Sequence, residues 1–168
     1  TWWNYLKLGD NMAQLNLQNV KIYIDPGHGG QQNSDIPGSE IGTTGYSGFF
    51  VEEDNVFEKD VNLSIALKLQ NMLENINVNV KMSITTDTEI GLCQRAKQAN
   101  NFGADLFISI HNNAASNQSI NGTMVLYPPR GVVDGTKNLA AEMSADISQN
   151  LGTRNIGAIE RDDLAVLN

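Results

Sequence analysis

The stretch VKIYIDPGHGG, residues 20–30, establishes the first element of the fold. Its β-branched and aromatic residues are typical of a buried strand, and the Pro and Gly residues that follow Asp25 indicate where the strand ends. His28, one of only two histidines in the chain, comes directly after this strand end. Because the chemistry of α/β folds tends to lie at the carboxyl ends of strands, His28 is a candidate site residue.

Strand and helix patterns alternate along the rest of the chain. Residues 55–76, NVFEKDVNLSIALKLQNMLENI, predict an amphipathic helix with Asn55 as its N-cap. The apolar stripe of this helix is predicted at Val61, Ile65, Leu69, Met72 and Leu73. Further strands are predicted in VNVKMSI, ADLFISIH and NGTMVLYPP, and further helices in EIGLCQRAKQANNFG and at residues 134–151, ending at Gly103 and Gly152. This alternation predicts an α/β fold with a mostly parallel central sheet flanked by helices on both faces.

Length and charge narrow the class of protein. The 168 residues suit one domain, and 19 Asp and Glu against 11 Lys and Arg give a net charge of -8. Such a charge argues against electrostatic binding of nucleic acid or anionic lipid. No apolar run is long enough to predict a transmembrane segment. We therefore expect a monomer with neither a nucleic-acid partner nor a membrane-spanning helix.

Two segments differ from the regular pattern. Residues 1–19, with the pair Trp2 and Trp3, show no sustained hydrophobic periodicity of a helix or a strand. They are interpreted as a linker or lead-in to a domain at 20–168. Residues 31–54 form a long polar connection, a candidate loop on the substrate side.

The single cysteine, Cys93, excludes an intramolecular disulfide and is predicted to be a small buried residue.

The two histidines occupy matching positions. His111 ends the predicted strand ADLFISIH, as His28 follows the first strand, so both imidazoles could reach one ion if these strands are neighbours. The sequence does not show that they are. Glu58, in the first turn of the helix after the long connection, is the candidate for a third ligand. Its alternative role is a capping box, Asn55-x-x-Glu58, in which the carboxylate binds a backbone N–H group.

Three separated segments carry a family resemblance. IDPGHGG, FEKDVNLSIALKL and ADLFISIHNNA, in this order and spacing, resemble the zinc-dependent N-acetylmuramoyl-L-alanine amidases, which include autolysins, sporulation hydrolases and phage endolysins. The resemblance implies one Zn²⁺ ion held by His28, Glu58 and His111, in a central sheet of about six strands. It also implies hydrolysis of the amide between N-acetylmuramic acid and L-alanine in peptidoglycan. Such an enzyme acts outside the cytoplasm, secreted or at the cell wall.

Residues near the ligands acquire roles from the same resemblance. Asp25 is expected either to hydrogen-bond a ligand imidazole or to be a strand-end turn residue. Asn113 is expected to orient its loop or touch the substrate, and Arg95 to bind loop carbonyls or a carboxylate in a structural role. Three glycines would allow a sharp turn and leave room beside the metal: Gly27, Gly29 and Gly30.

The C-terminal part of the family pattern is missing from the sequence. In these amidases the general base is a second glutamate, on a strand after the segment that DDLAVL resembles, and this position lies beyond Asn168. We therefore expect a catalytic domain seen without its last strand and helix, with no catalytic residue identified among the 168. One alternative is a non-catalytic, zinc-containing module that binds peptidoglycan or regulates its turnover. Another is a plain α/β domain in which the two histidines and Glu58 serve turns and a helix cap.

Overall fold

The computed structural model describes residues 17–30, 50–51, 56–112, 121–130, 132–164 and 166. Most of the predicted lead-in and of the long polar connection, together with Asn113, lies outside these described residues. A short 3-10 turn, Leu17–Asn19, precedes the first strand. In chain order the strands and helices are β1 (Lys21–Pro26), β2 (Phe50–Val51), β3 (Val56–Phe57), α1 (Glu58–Glu74), β4 (Asn79–Met82), α2 (Leu92–Phe102), β5 (Leu106–Ile110), β6 (Thr123–Tyr127), α3 (Thr136–Leu151) and β7 (Asn155–Glu160).

Strand β1 is the centre of the main sheet. It pairs in parallel with β4 on one side and with β5 on the other. Strands β6 and β7 form a second parallel pair, against which α3 packs, while β2 and β3 pair antiparallel. The predicted α/β class with mostly parallel strands is confirmed. The described strands divide into sheets of three, two and two, whereas the prediction was one sheet of about six.

The alternation of side chains along β1 places a helix on each face of the main sheet. Ile22 and Ile24 join the apolar core with Ala66 of α1. Tyr23 points to the opposite face, where its hydroxyl donates a hydrogen bond of 2.6 Å to Gln98 of α2. Since successive side chains of a strand point to opposite faces, α1 and α2 cover opposite sides of β1, as predicted.

The start of α1 differs from the prediction. Its first helical residue is Glu58, and Phe57 occupies the N-cap position with an extended backbone. Asn55 as N-cap is therefore wrong, because residues 56–57 belong to β3 and the helix cannot begin before them. The predicted ends of the other two helices are confirmed: Gly103 and Gly152 terminate α2 and α3 with φ of 68° and 66°, a conformation that favours glycine.

The buried face of α1 is also different from the predicted stripe. The residues that it buries are Glu58, Asn62 and Ala66, whereas Ile65 and Met72 are exposed. The hydrophobic pattern predicts that the apolar residues face the core. Instead, the polar contacts of Glu58 and Asn62 at the start of the helix determine which side of it is buried. Leu69 and Leu73 do pack against the core, as expected.

Cys93 is exposed, so the prediction of a buried thiol is wrong. Helix α2 begins at Leu92 and buries Arg95 and Ala99, which turns Cys93 away from the sheet. Among the described residues, we find no helix whose length and apolar character would let it span a bilayer.

Replacement of Ile24 by Ala tests the assigned core. Ile24 is fully buried, so the variant loses apolar contacts and leaves a cavity, and we expect the free energy of unfolding to fall by about 2–5 kcal/mol in urea titrations. The matched control is Ile76→Ala, the same chemical change at a residue that is 53% exposed. A loss at Ile76 as large as that at Ile24 would contradict this assignment of the core.

Candidate metal centre

The pairing of β1 with β5 brings the two histidines together. In the register of this pair Pro26 lies opposite Ile110, so the two strands leave the sheet side by side. His28 and His111 follow these strand ends, and their ring centroids are 4.9 Å apart with the ring planes at 80°. The adjacency of the two strands, which the sequence left open, is therefore established by the sheet.

Glu58 lies between the two imidazoles. Its Oε2 is 3.3 Å from Nε2 of His28, and its Oε1 is 3.1 Å from Nδ1 of His111. One donor atom of each residue lies within 4.8 Å of the others, so the three side chains could hold a metal ion. The capping-box alternative does not hold, because the carboxylate contacts the histidines and the helix has Phe57 at its N-cap.

Glu58 is held in its charged form. Burial raises the pKa of this carboxyl, but hydrogen bonds to His111, to His28 and from the backbone N–H of Asn112 outweigh the burial and hold the pKa far below its usual range. The side chains of Glu58 and His28 are 7% and 10% exposed, whereas that of His111 is 43% exposed. The cluster is therefore open to solvent on the His111 side.

Gly27 makes room for His111. A Cβ atom at this position would lie 2.2 to 2.6 Å from three atoms of the imidazole ring, so a side chain here would force the ring to move. Gly29 and Gly30 instead lie against the backbone of Thr88 and Glu89, with positive φ in both. Of the three glycines expected to leave room beside a metal, Gly27 is the one that touches a histidine.

Arg95 and Asp25 form a buried ion pair behind His28. The Nη1 atom of Arg95 donates to Oδ1 of Asp25 and to the carbonyl of Pro26, both at 2.7 Å, and Nη2 donates to the carbonyl of His28 at 2.8 Å. Asp25 also accepts hydrogen bonds from two serines, Ser83 and Ser109. The structural role expected of Arg95 is confirmed. It anchors the turn in which His28 adopts a φ of 65°, an uncommon conformation for a residue with a side chain.

The contacts of Asp25 differ from both roles that the sequence suggested. Its carboxylate binds the Arg95 guanidinium and two serine hydroxyls, and thereby reaches His28 through Arg95. The carboxylate is 1% exposed, so it is a buried anchor near the end of β1.

Three polar side chains of the site, those of Asn62, Lys59 and Asp87, were missed in the sequence. Asn62 donates to the carbonyl of Gly27 at 3.1 Å and accepts a bond of 2.8 Å from Asn112. The sequence could have indicated the role of Asn62, because this residue lies four positions after Glu58 and therefore on the same helix face. Lys59 and Asp87 were missed for a different reason.

Lys59 and Asp87 close the other side of the histidine turn. The ammonium of Lys59 donates to Asp87 at 2.5 Å and to the carbonyl of Gly30 at 3.1 Å. Asp87 in turn accepts a bond of 2.6 Å from the N–H of Gly30. These residues are 28 positions apart in the chain, so no local pattern reveals their contact.

Removal of the Arg95 guanidinium tests the buried pair. Arg95→Leu leaves the Asp25 carboxylate charged and buried without its main partner, so we expect the free energy of unfolding to fall by about 3–5 kcal/mol in urea titrations. Arg161→Leu is the control, since Arg161 pairs with Asp163 at the surface and its loss should leave stability unchanged within error. Equal effects of the two substitutions would show that the Arg95 pair does not stabilise the fold.

The fold and the site together define the class of protein. Two imidazoles and one carboxylate, open on one side and set at the carboxyl edge of a parallel sheet, form the donor set typical of catalytic zinc sites in hydrolases. The chain belongs to the N-acetylmuramoyl-L-alanine amidase family, whose model matches residues 22–168.

Curated relatives are similar over much of the chain. It is 34% identical over 136 residues to the N-acetylmuramoyl-L-alanine amidase LytC of Bacillus subtilis, covering 81% of this chain and 24% of LytC. It is 45% identical over 97 residues to the amidase CwlM of Bacillus licheniformis, covering 56% of this chain and 32% of CwlM. The probable cell wall amidase LytH of Staphylococcus aureus is 34% identical over 143 residues, which cover 84% of this chain and 42% of LytH. The chain thus spans less than half the length of these proteins.

Solved structures share the fold. An N-acetylmuramoyl-L-alanine amidase from Clostridium difficile 630 superposes with a TM-score of 0.72 at 35% identity, covering 88% of this chain and 72% of that one. The CwlD amidase from Clostridioides difficile was solved in complex with the GerS lipoprotein. It gives a TM-score of 0.74 at 25% identity, covering 89% of this chain and 76% of that one.

Proposed function

We propose that the chain is the zinc-holding part of a peptidoglycan amidase, which hydrolyses the amide between N-acetylmuramic acid and L-alanine. The observation that carries this proposal is the convergence of His28, Glu58 and His111 at one sheet edge, in a chain that matches the amidase family over residues 22–168. LytC and CwlM are named as amidases, which favours an enzyme over the non-catalytic module. The name of LytH also supports action at the cell wall. The monomeric state and the lack of a nucleic-acid partner stay predictions.

The three side chains fit one zinc ion. Two donors each about 2.1 Å from a tetrahedral ion are about 3.4 Å apart. The contacts of Glu58, 3.3 Å from Oε2 to His28 and 3.1 Å from Oε1 to His111, are close to that spacing, and one donor atom of each of the three residues lies within 4.8 Å of the others. Two neutral imidazoles and one carboxylate would leave the site with net positive charge. The exposed side of His111 would give water access to a bound ion, which a catalytic site requires.

The residues of this chain would act by binding and positioning. When bound, zinc would supply a Lewis acid that polarises the scissile carbonyl and activates water. Glu58, ionised and held by the Asn112 N–H, contributes the negative charge of the site. Arg95 holds the His28 turn in place through the His28 carbonyl.

Hydrolysis also requires a group that takes a proton from water and delivers it to the leaving amine. A positioned carboxylate contributes about 10²–10⁴-fold to such a reaction. The family resemblance assigns this role to a glutamate on a strand after the DDLAVL segment. We assign none of the described residues to it.

Substitution of Glu58 tests the metal site. We expect the purified chain to hold one zinc per molecule by elemental analysis. Glu58→Gln should weaken zinc binding, measured by competition with a chelator, by more than the about 10–100-fold that loss of an outer hydrogen-bond partner typically costs. Glu74→Gln is the matched control, because Glu74 is the last residue of the same helix and its exposed carboxylate accepts a hydrogen bond from Gln70. A chain without stoichiometric zinc, or a Glu58→Gln variant that binds as tightly as the control, would refute the metal assignment.

The reaction itself is tested on purified sacculi. The protein expressed from its full reading frame should release free muramic-lactyl ends and N-terminal alanine in equal amounts. New glycan reducing ends, or other peptide amines, would show that a different bond is cleaved. A protein that holds zinc but releases neither product would support the non-catalytic module instead.

A further inference from the structure

We infer that Asn62 is the positioning residue that holds the three zinc-ligand segments in one geometry. This inference rests on the zinc site proposed above and adds to it a residue outside the ligand set. It follows from the hydrogen bonds, the burial and the chemistry of one side chain in α1.

The Asn62 amide contacts all three ligand-bearing segments. Asn62 is 0% exposed and lies one turn after Glu58. Its Nδ2 donates to the carbonyl of Gly27, the residue before His28, at 3.1 Å and lies 3.5 Å from Oε1 of Glu58. Its Oδ1 accepts a bond of 2.8 Å from Nδ2 of Asn112, the residue after His111. One side chain therefore links the glutamate to the neighbour of each histidine.

These contacts require an amide group. The Gly27 carbonyl and the Glu58 carboxylate only accept hydrogen bonds, so Nδ2 must face them, and Oδ1 is then left to accept from Asn112. This requirement determines which way the amide points. A carboxylate of the same size would place acceptors against acceptors, and an apolar side chain would leave buried polar groups unsatisfied.

The network also determines which way the Glu58 carboxylate points. Its Oε1 receives the Asn112 N–H at 3.0 Å and contacts Nδ1 of His111, in addition to the longer contact with Asn62. Its Oε2 is thereby directed at His28. Partners that hold a metal ligand in orientation in this way commonly govern metal affinity.

The apolar part of the same helix face contributes to the stability of the core and not to the ligand contacts. Ala66, one turn after Asn62, is also 0% exposed and packs with Ile22 and Ile24 in the core. A substitution there disturbs folding without touching the ligand segments, which makes it a control for the role of Asn62.

The experiment compares Asn62→Leu and Asn62→Ala with Ala66→Gly. Folding is followed by circular dichroism, zinc affinity by competition with a chelator, and ligand geometry by the visible spectrum of the cobalt-substituted chain. We expect both Asn62 variants to bind zinc about 10–100-fold more weakly and to show an altered cobalt spectrum. Ala66→Gly, which lowers helix propensity and loosens the core, should lose thermal stability but keep zinc affinity within about twofold and the same spectrum.

Each result decides between distinct conclusions. Folded Asn62 variants with the zinc affinity and cobalt spectrum of Ala66→Gly would overturn the inference. If neither Asn62 variant folds in the presence of zinc, Asn62 is a folding residue and the inference is likewise overturned. A wild-type chain that binds no zinc would refute the proposed function itself, which separates the two failures.

Discussion

The parallel pairing of β1 with β5 is the contact on which the site depends. Neither strand carries a complete site, and the two histidines are 83 positions apart in the chain. Because Pro26 lies opposite Ile110, the backbones emerge together at the carboxyl edge, and the turn after β1 meets the end of β5 there. Gly27 permits this close approach, since any side chain at that position would occupy the space of the His111 ring. A slip of this register would separate the imidazoles and remove the geometry that a metal needs.

The carboxyl edge of the sheet concentrates buried charge, and hydrogen bonds compensate for it. Transfer of a carboxylate from water to the interior is costly unless it is paired and bonded. Asp25 meets this requirement through Arg95 and two serines, and Glu58 meets it through the imidazoles and the Asn112 N–H. Among the described residues, no buried side-chain nitrogen or oxygen lacks a hydrogen-bond partner. The polar network therefore anchors the turn after β1, in which His28 has an uncommon positive φ.

The errors in the sequence interpretation share a physical origin. Residues 55–76 were correctly predicted as mainly helical, but hydrophobic period alone placed Ile65 and Met72 on the buried face, where the structure has Asn62 and Ala66. The rotation of α1 follows from the contacts of Glu58 and Asn62, which involve residues far away in the chain. Cys93 was misplaced for a similar reason, since the buried face of α2 is set by Arg95 reaching the β1 turn. In both helices a long-range polar contact outweighed the local apolar pattern.

The sequence by itself determined the strand after residue 20, the glycine ends of α2 and α3 and the alternation that makes an α/β fold, whereas the family resemblance singled out the three candidate metal ligands. These features are local, because propensity, helix termination and side-chain chemistry act within a few residues. Only the tertiary structure decided that β1 and β5 are neighbours, that Glu58 lies between the imidazoles, and that Asn62 joins their segments. Each of these depends on backbone hydrogen bonds, side-chain contacts and packing between parts of the chain 30 or more residues apart, which no local pattern encodes.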